Sequence, residues 1–471
     1  MSDFFYARLS QLERSFLVYE GPNSPMHVGA TQIFEAGPLR RPDGPIDLER
    51  IERYVLSRLH KIPRYRQRLA ETPIERHPIW IDDPRFNIHY HVRHVRLPRP
   101  GDERLLKRMV GRIFSQRLDR GKPLWEMWLI EGLEGDRLAM VSKIHHCMVD
   151  GISGVDLLAA LLTEEPLPHE EPPHPWLPRP APTTAQLARD EVERVLHAPL
   201  DAAGALWNLA RDEDHARANL SRRLGALGTF VTAGGGPTAT ATSINQPIGP
   251  YRRVDWLSMD LRRLRSVAKQ LGGTVNDVVL ATTAGAVRRF LKRSRQEDVR
   301  NLDFRVMAPV SLRDESEHGK LGNRVSAWVV PLPVGERDPL LRWERVRKAT
   351  AELKHSHAAL AADTVVQLTG WTGTTLLSLG ARLMDVAVPF NMVVTNVPGP
   401  RHALHLLGSR MLESHPLLPL MGNLATGIAL MSYRDTLSWG LCADWDLVPD
   451  LHEFTLAIEH SFRKLAEAAG V

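Results

Sequence analysis

Cysteine is nearly absent from this chain: Cys147 and Cys442 are the only two in 471 residues. Two cysteines build no disulfide framework, and without a Cys-x-x-Cys pair there is no zinc-ribbon or thioredoxin-like signature. A reducing, cytoplasmic setting is the expectation. Long apolar runs are also missing. The longest uncharged stretches, 364–381 and 416–433, are interrupted by Gln, Asn, Thr, Gly or Pro and read as globular core, not membrane spans. Met1–Phe16 carries Asp3, Arg8, Glu13 and Arg14, so no secretory signal is read there. No charge sign dominates: the formal net charge is +5 and the pI about 9.3. The basic residues are scattered, which gives nucleic-acid binding little support, while the mild excess suits an anionic lipid surface or a phosphorylated ligand. A Gly-x-Ser-x-Gly elbow is lacking, since Gly151-Ile152-Ser153-Gly154 misses the second spacing. His-Glu-x-x-His is lacking too, and His169, Glu170, Glu171 and His174 fall among prolines at the wrong spacing, so no metal site is expected.

What is present is a heptad, His145-His146-Cys147-Met148-Val149-Asp150-Gly151. A histidine is the side chain best suited to take a proton from an alcohol or thiol and return it within one cycle. Trp125–Leu133 is mostly apolar and ends in Glu134-Gly135-Asp136, after which 138–146 alternates, predicting a hairpin. On a strand, His145 and His146 would point to opposite faces and serve different purposes. From Ile152 the spacing of Val155, Leu158 and Leu162 becomes helical, which places Asp150 and Gly151 at a strand-to-helix junction. Two other readings of the heptad are a metal site and a core histidine pair with a helix-capping aspartate. Cys147 reads as a packing residue.

Length and a 43% hydrophobic content predict two domains. The segment 164–182 is dense in Pro, Glu and His and reads as an extended crossover, and the pattern over 185–227 is helical. Gly234-Gly235-Gly236-Pro237 marks a loop. The divisions are therefore 1–163, a linking region 164–247, and 248–471. In the last of these, helices are predicted over 275–292, 338–354 and 450–469, and strands over 305–310, 325–332, 391–395, 425–432 and 437–443. The alternation is that of an α/β protein.

The heptad, written His-His-x-x-x-Asp-Gly, resembles the signature of the condensing acyltransferases, and the chain as a whole resembles the bacterial wax ester synthase/diacylglycerol acyltransferase family. Further matching segments are Ser24-Pro25-Met26-His27-Val28-Gly29, Leu118-Asp119-Arg120 with Pro123-Leu124-Trp125-Glu126, and Asn245-Gln246-Pro247-Ile248. Asn276-Asp277, Pro309-Val310-Ser311-Leu312-Arg313, Gly322-Asn323, Thr395-Asn396-Val397-Pro398-Gly399-Pro400 and Ser432-Tyr433 follow in order. Glu13 departs from the pattern, standing where an aspartate is expected. The resemblance implies two chloramphenicol-acetyltransferase-like mixed-sheet sandwiches joined by a crossover, with an active-site tunnel between them. It implies His146 as the general base, His145 as the residue ordering the motif backbone, and Asp150 as a carboxylate paired with an arginine, for which Arg313 is the candidate. Gly151 allows close backbone approach at the turn.

For the oxyanion, Asn276 is the candidate amide donor, the alternative being that Asn276-Asp277 caps the following helix; Thr395 and Asn396 are weaker candidates. Pro398-Gly399-Pro400 reads as a rigid turn. An acyl thioester is already electrophilic, with a leaving thiol of pKa about 8.5, so no covalent enzyme nucleophile is required. The implied reaction joins long-chain acyl-CoA, as co-substrate, to diacylglycerol or a fatty alcohol with no resident cofactor, on a peripheral membrane or lipid-body surface. Transfer to another hydroxyl or amine is a second possibility, and a non-catalytic lipid-binding or lipid-body protein a third. The intact His145, His146, Asp150 and Gly151 argue against the third.

Overall fold

The 125–145 segment folds as its pattern predicts: β6 (Trp125–Leu133) and β7 (Arg137–His145) form an antiparallel hairpin, turning through Gly135 and Asp136 at φ 75° and 50°. In the computed structural model, residues 5–148, 156–166, 171–194, 196, 239–311, 325–355 and 390–471 are described. Asp150, Gly151 and Arg313 lie outside them, as do the stretch 364–381 and all of 197–238.

In the first half, β1 (Ala7–Arg8), β3 (Gln67–Glu71) and β4 (Pro78–Asp82) make a small sheet, while β2 (His27–Glu35), β5 (Val92–Arg96), β6 and β7 belong to a six-stranded one. Its helices are α1 (Gln11–Tyr19), α2 (Leu48–Arg58), α3 (Ile88–His91), α4 (Glu103–Ser115) and α5 (Asp156–Leu161). In the second half, β8 (Arg252–Asp260), β9 (Phe304–Ser311), β10 (Val325–Leu332), β11 (Met392–Val397), β14 (Thr426–Tyr433) and β15 (Thr436–Asp444) form another six-stranded sheet, ordered β10-β9-β11-β14-β15-β8. It is covered by α6 (Leu261–Gln270), α7 (Val275–Arg293), α8 (Pro339–His355) and α9 (Leu451–Ala468). Both large sheets are mixed: β5 is parallel to β6, and β11 is parallel to β9 and β14. The elements predicted within 248–471 form with their ends shifted by three residues or fewer. The uncharged stretch 416–433 is strand and turn, and no described helix is long and apolar enough to cross a membrane.

Sheet membership does not follow the chain divisions. β12 (His405–Leu406) and β13 (Ser409–Leu417) leave the second half and extend the first sheet to the order β12-β13-β2-β7-β6-β5, with β13 antiparallel to β2 from Met411–Phe34 to Leu417–Gly29. The halves also meet where α4 lies on β8. A Cβ on Gly111 would stand 2.7 Å from the Arg252 carbonyl, and Ser115 Oγ accepts the Arg252 N–H at 2.8 Å. The apolar core is continuous across this seam, from Val110 and Phe114 through Trp256 to α7 and α9. Residues 171–183 have no regular structure and 184–194 are helical. This crossover is pinned to the small sheet by the Arg179 guanidinium on Asp82 (2.8 Å) and by Glu191, which accepts the N–H groups of Ile74 and Glu75.

Lys143 of β7 is completely buried, and its ammonium serves the end of α4. It reaches Glu126 at 2.9 Å and donates to the carbonyls of Ile113 and Gln116 at 3.2 and 3.0 Å. The last carbonyls of a helix have no partner within it, so a buried cation satisfies them while Glu126 balances its charge. Replacing Lys143 with Met leaves that buried carboxylate with Arg93 (3.2 Å) as its remaining cation and the Trp128 indole N–H (3.0 Å) as a neutral donor. Urea unfolding is expected to show a loss of about 3–5 kcal/mol. Lys143→Met/Glu126→Gln, which buries no unpaired charge, is expected to recover part of it.

Candidate active site

β7 ends at His145, which sits opposite His27 of β2, and the backbone then tightens into a 3-10 turn over His146–Met148. Two hydrogen bonds fix the change of conformation: His145 N–H donates to the Leu124 carbonyl at 2.9 Å, and His146 N–H to the Met26 carbonyl at 2.7 Å. The expectation of opposite sheet faces therefore fails, because strand alternation stops one residue early. Both rings meet α1: His146 stacks on Phe16, centroids 3.8 Å apart, and His145 faces Glu20, the residue that ends the same helix.

The two histidines nevertheless have different surroundings. His145 is fully buried. Its Nδ1 accepts the Cys147 N–H at 3.1 Å, which puts the proton of a neutral ring on Nε2, 3.5 Å from Glu20 Oε1. Burial pushes the Glu20 carboxyl up, but His145 and Arg120 together outweigh it and hold it at about 2. Arg120 Nε donates to Glu20 Oε2 at 2.8 Å and its other arm to the Leu17 carbonyl at 2.8 Å; Arg117 stands 3.6 Å away. His27, buried beside this group, donates its ring Nε2–H to the Phe114 carbonyl at 2.8 Å.

His146 lies against an aromatic ring instead. Burial pushes its imidazole down to about 4; its own carbonyl pulls back, and His145 adds to the depression. Its Nδ1 is buried without a hydrogen bond among the described residues. A histidine so placed is neutral and able to accept a proton at pH 7. The buried Cys147 thiol is pushed up by burial and by the charge of Glu13, so it stays protonated and is a poor nucleophile. Among the described residues no three His, Cys, Asp or Glu side chains are grouped to hold a metal.

Other motif residues prove to be builders of the frame. Asn245 Oδ1 accepts from the Asn391 side chain at 2.8 Å and its amide donates to the Asn391 carbonyl at 3.0 Å. Ser432 Oγ accepts the Gly399 N–H at 3.0 Å, and Tyr433 donates to the Met411 carbonyl of β13 at 2.9 Å. Glu13 is the third residue of a capping box with Ser10 on α1, a position any such carboxylate side chain can fill. α7 is capped by Thr274 and Asp277, not by Asn276, and Asp277 also accepts from Thr350 at 2.7 Å. Asn276 is half-buried in the first turn of α7, and Thr395 and Asn396 are half-buried near the end of β11. No hydrogen bond among the described residues joins these three to the histidine pair. The sequence reading missed Glu20 and Phe16, and it quoted His27 and Arg120 only as members of matching segments without a role; a cation such as Arg120 in such a segment was the signal for a carboxylate partner nearby.

Several buried imidazoles share the displacement of His146. Burial also lowers His77 and His91 to about 4, and His27 well below the ordinary value. Between pH 6.5 and 4 the unfolded chain binds protons that the folded chain refuses, so stability is complete above pH 6.5 and falls as pH drops toward 4. Glu20, depressed instead, contributes stability above pH 4.5 that is lost toward pH 2. Thermal melts are expected to show a falling Tm through pH 6.5–4, and a flat Tm across that window would contradict the buried neutral state of these rings.

Against this geometry the comparisons with known proteins are clear. The wax ester synthase/diacylglycerol acyltransferase catalytic domain matches residues 9–279, and the C-terminal domain of the same family matches 321–466. "Probable diacyglycerol O-acyltransferase tgs1" of Mycobacterium tuberculosis is 33% identical, covering 97% of this chain and 95% of that protein. "O-acyltransferase WSD" of Acinetobacter baylyi is 28% identical over 97% of this chain and 96% of its own length. The solved wax ester synthase/diacylglycerol acyltransferase of Marinobacter aquaeolei VT8 superposes with a TM-score of 0.69 at 26% identity, covering 99% of this chain and 100% of that one. The first condensation domain of the CDA synthetase, 18% identical with a TM-score of 0.57 over 99% of this chain and 97% of its own, shares the fold. Two domain matches and relatives aligned along almost their whole length, on a fold with two mixed sheets, establish that this chain belongs to the wax ester synthase/diacylglycerol acyltransferase family.

Proposed function

We propose that this protein transfers the acyl group of a long-chain acyl-CoA to the hydroxyl of diacylglycerol or a fatty alcohol, making triacylglycerol or wax ester, with His146 as general base. The observation that carries the reading is the neutral, stacked imidazole of His146 at the end of β7, within the family's motif. Nδ1 is the buried nitrogen, so Nε2 takes the acceptor's proton. The oxygen attacks the thioester carbon, the C–S bond breaks, and the CoA thiolate recovers the proton from His146. A base as weak as this one accepts the proton only as the new C–O bond forms, which couples the two events. His145, held by Cys147 and Glu20, keeps the turn in place. Asp150 and Gly151, with Arg313 as the arginine partner, are proposed to hold the rest of the motif. Asn276, in the dipole-positive first turn of α7, is the proposed amide for the oxyanion. Acyl-CoA enters as co-substrate, and no resident cofactor is proposed. The insoluble products and the basic surplus support reversible peripheral binding to anionic membranes or lipid bodies on the cytoplasmic side.

The test is thiol release from palmitoyl-CoA with diacylglycerol or hexadecanol as acceptor. His146→Ala is expected to lower kcat by about 10²–10⁴-fold while the Tm holds, and activity kept within about tenfold would remove the base from His146. Release with neither acceptor would favour the lipid-binding reading.

A further inference from the structure

A groove of about 750 Å³ lies along the seam of the two halves, between the first turns of α4 on one side and the β8 edge with the start of α9 on the other. Its walls carry Arg104, Lys107 and Arg108, spaced three and four apart on one helical face, and, from the second half, Arg253, Trp445 and His452. The acids of the groove are already engaged. Lys107 is neutralised by Glu103 at 2.8 Å and Asp255 at 2.5 Å, and Asp255 also receives His452 Nδ1 at 2.9 Å and the Thr455 hydroxyl at 3.0 Å. Among the described residues no carboxylate comes within ion-pair distance of Arg104, Arg108 or Arg253.

Arg253 is the most constrained of the three. Its guanidinium lies over the Trp445 ring at 4.0 Å, and its Nε is buried without a hydrogen-bond partner among the described residues. Burial and the nearby charge of Arg108 both make its protonated state less favourable, while Asp446 and Asp450 offset them only in part. Uncompensated cations brought together in a concavity by two halves of a fold are stabilised by a multiply charged anion. Guanidinium forks match phosphate oxygens in pairs. The Trp445 indole beside them, over a third exposed with Arg253 on one side, offers an aromatic surface for a base. The groove and the histidine site share a helix: six residues after Arg108, about 9 Å along the axis of α4, the Phe114 carbonyl meets the His27 ring.

We infer that this groove binds the phosphorylated nucleotide end of the acyl donor, an adenosine carrying several phosphate groups, through Arg104, Arg108 and Arg253, with Trp445 against the base. The identity of the ligand rests on the acyl-CoA reading above; the recognition of a multiply phosphorylated anion rests on the groove alone. A phospholipid headgroup offers related phosphate chemistry, and the experiment separates the two.

Adenosine 3′,5′-bisphosphate is titrated calorimetrically into the full chain and into Arg104→Ala/Arg108→Ala, both exposed on α4 and outside the histidine network. Losing two charge-assisted contacts is expected to weaken binding by about tenfold or more, with an unchanged melt. In turnover, KM for palmitoyl-CoA is expected to rise by a similar factor, while kcat and KM for the acceptor stay within about threefold. Affinity that changes by less than about twofold, or a parent chain that does not bind the bisphosphate, overturns the site. So does a variant that binds the bisphosphate normally but no longer floats with phosphatidylserine vesicles, which would make the groove a headgroup site. A parent chain that binds the bisphosphate through these arginines yet releases no thiol keeps the groove and sinks the proposed function. Normal turnover by the variant at low palmitoyl-CoA does the reverse.

Discussion

A single buried carboxylate organises the candidate site. The Glu20 side chain is wholly removed from solvent, a position that penalises its charge, and it stays ionised because Arg120 and His145 converge on it. An interior anion is tolerated only when its oxygens are taken up by donors. Here the donors come from separate stretches of chain: Arg120 before β6, His145 at the end of β7, and the Met26 N–H before β2, at 3.4 Å. Because Arg120 also binds the Leu17 carbonyl, the end of α1 is locked in place and rotation. One turn back along that helix is Phe16, the ring on which His146 rests. The position of the proposed base is thus a consequence of neutralising Glu20.

From this arrangement two adjacent residues of one type acquire different properties. His145 touches an anion and a backbone amide, and His146 touches an apolar ring, so the second is held neutral by burial. Separating like groups by environment is a general way for one fold to assign unlike duties to them.

The halves are coupled at several levels. β13 crosses into the first sheet, α4 lies close on β8 through Gly111 and Ser115, and Tyr433 of the second sheet donates to Met411 of the first. The Asn245–Asn391 amide pair ties the end of the linking region to the second half, and the Asp277–Thr350 bond ties α7 to α8. Of the sequence signature outside the heptad, Tyr433 ties the two large sheets together, while Asn245, Asp277 and Ser432 brace the frame around them.

The sequence by itself determined the local elements. The β6–β7 hairpin was legible in its alternation and in Glu134-Gly135-Asp136, and so were three helices and five strands from residue 275 onward in their spacing, because periodicity reflects which side of an element is buried; β8 and α6 were not read. The heptad and its companion motifs were enough to indicate the family. Tertiary structure decided the rest. Nothing local in residues 405–417 says that they complete a sheet whose other strands lie hundreds of residues earlier, since strand partners are chosen by the packing of whole layers. The turn at His146 was hidden for the same reason: alternation predicted diverging rings, and a backbone bond to Met26 ended the strand. Glu20, an unremarked carboxylate at a helix end, became central only when folding removed it from water and brought Arg120 and His145 to it. Charge in a sequence has no environment, and the environment sets its energy.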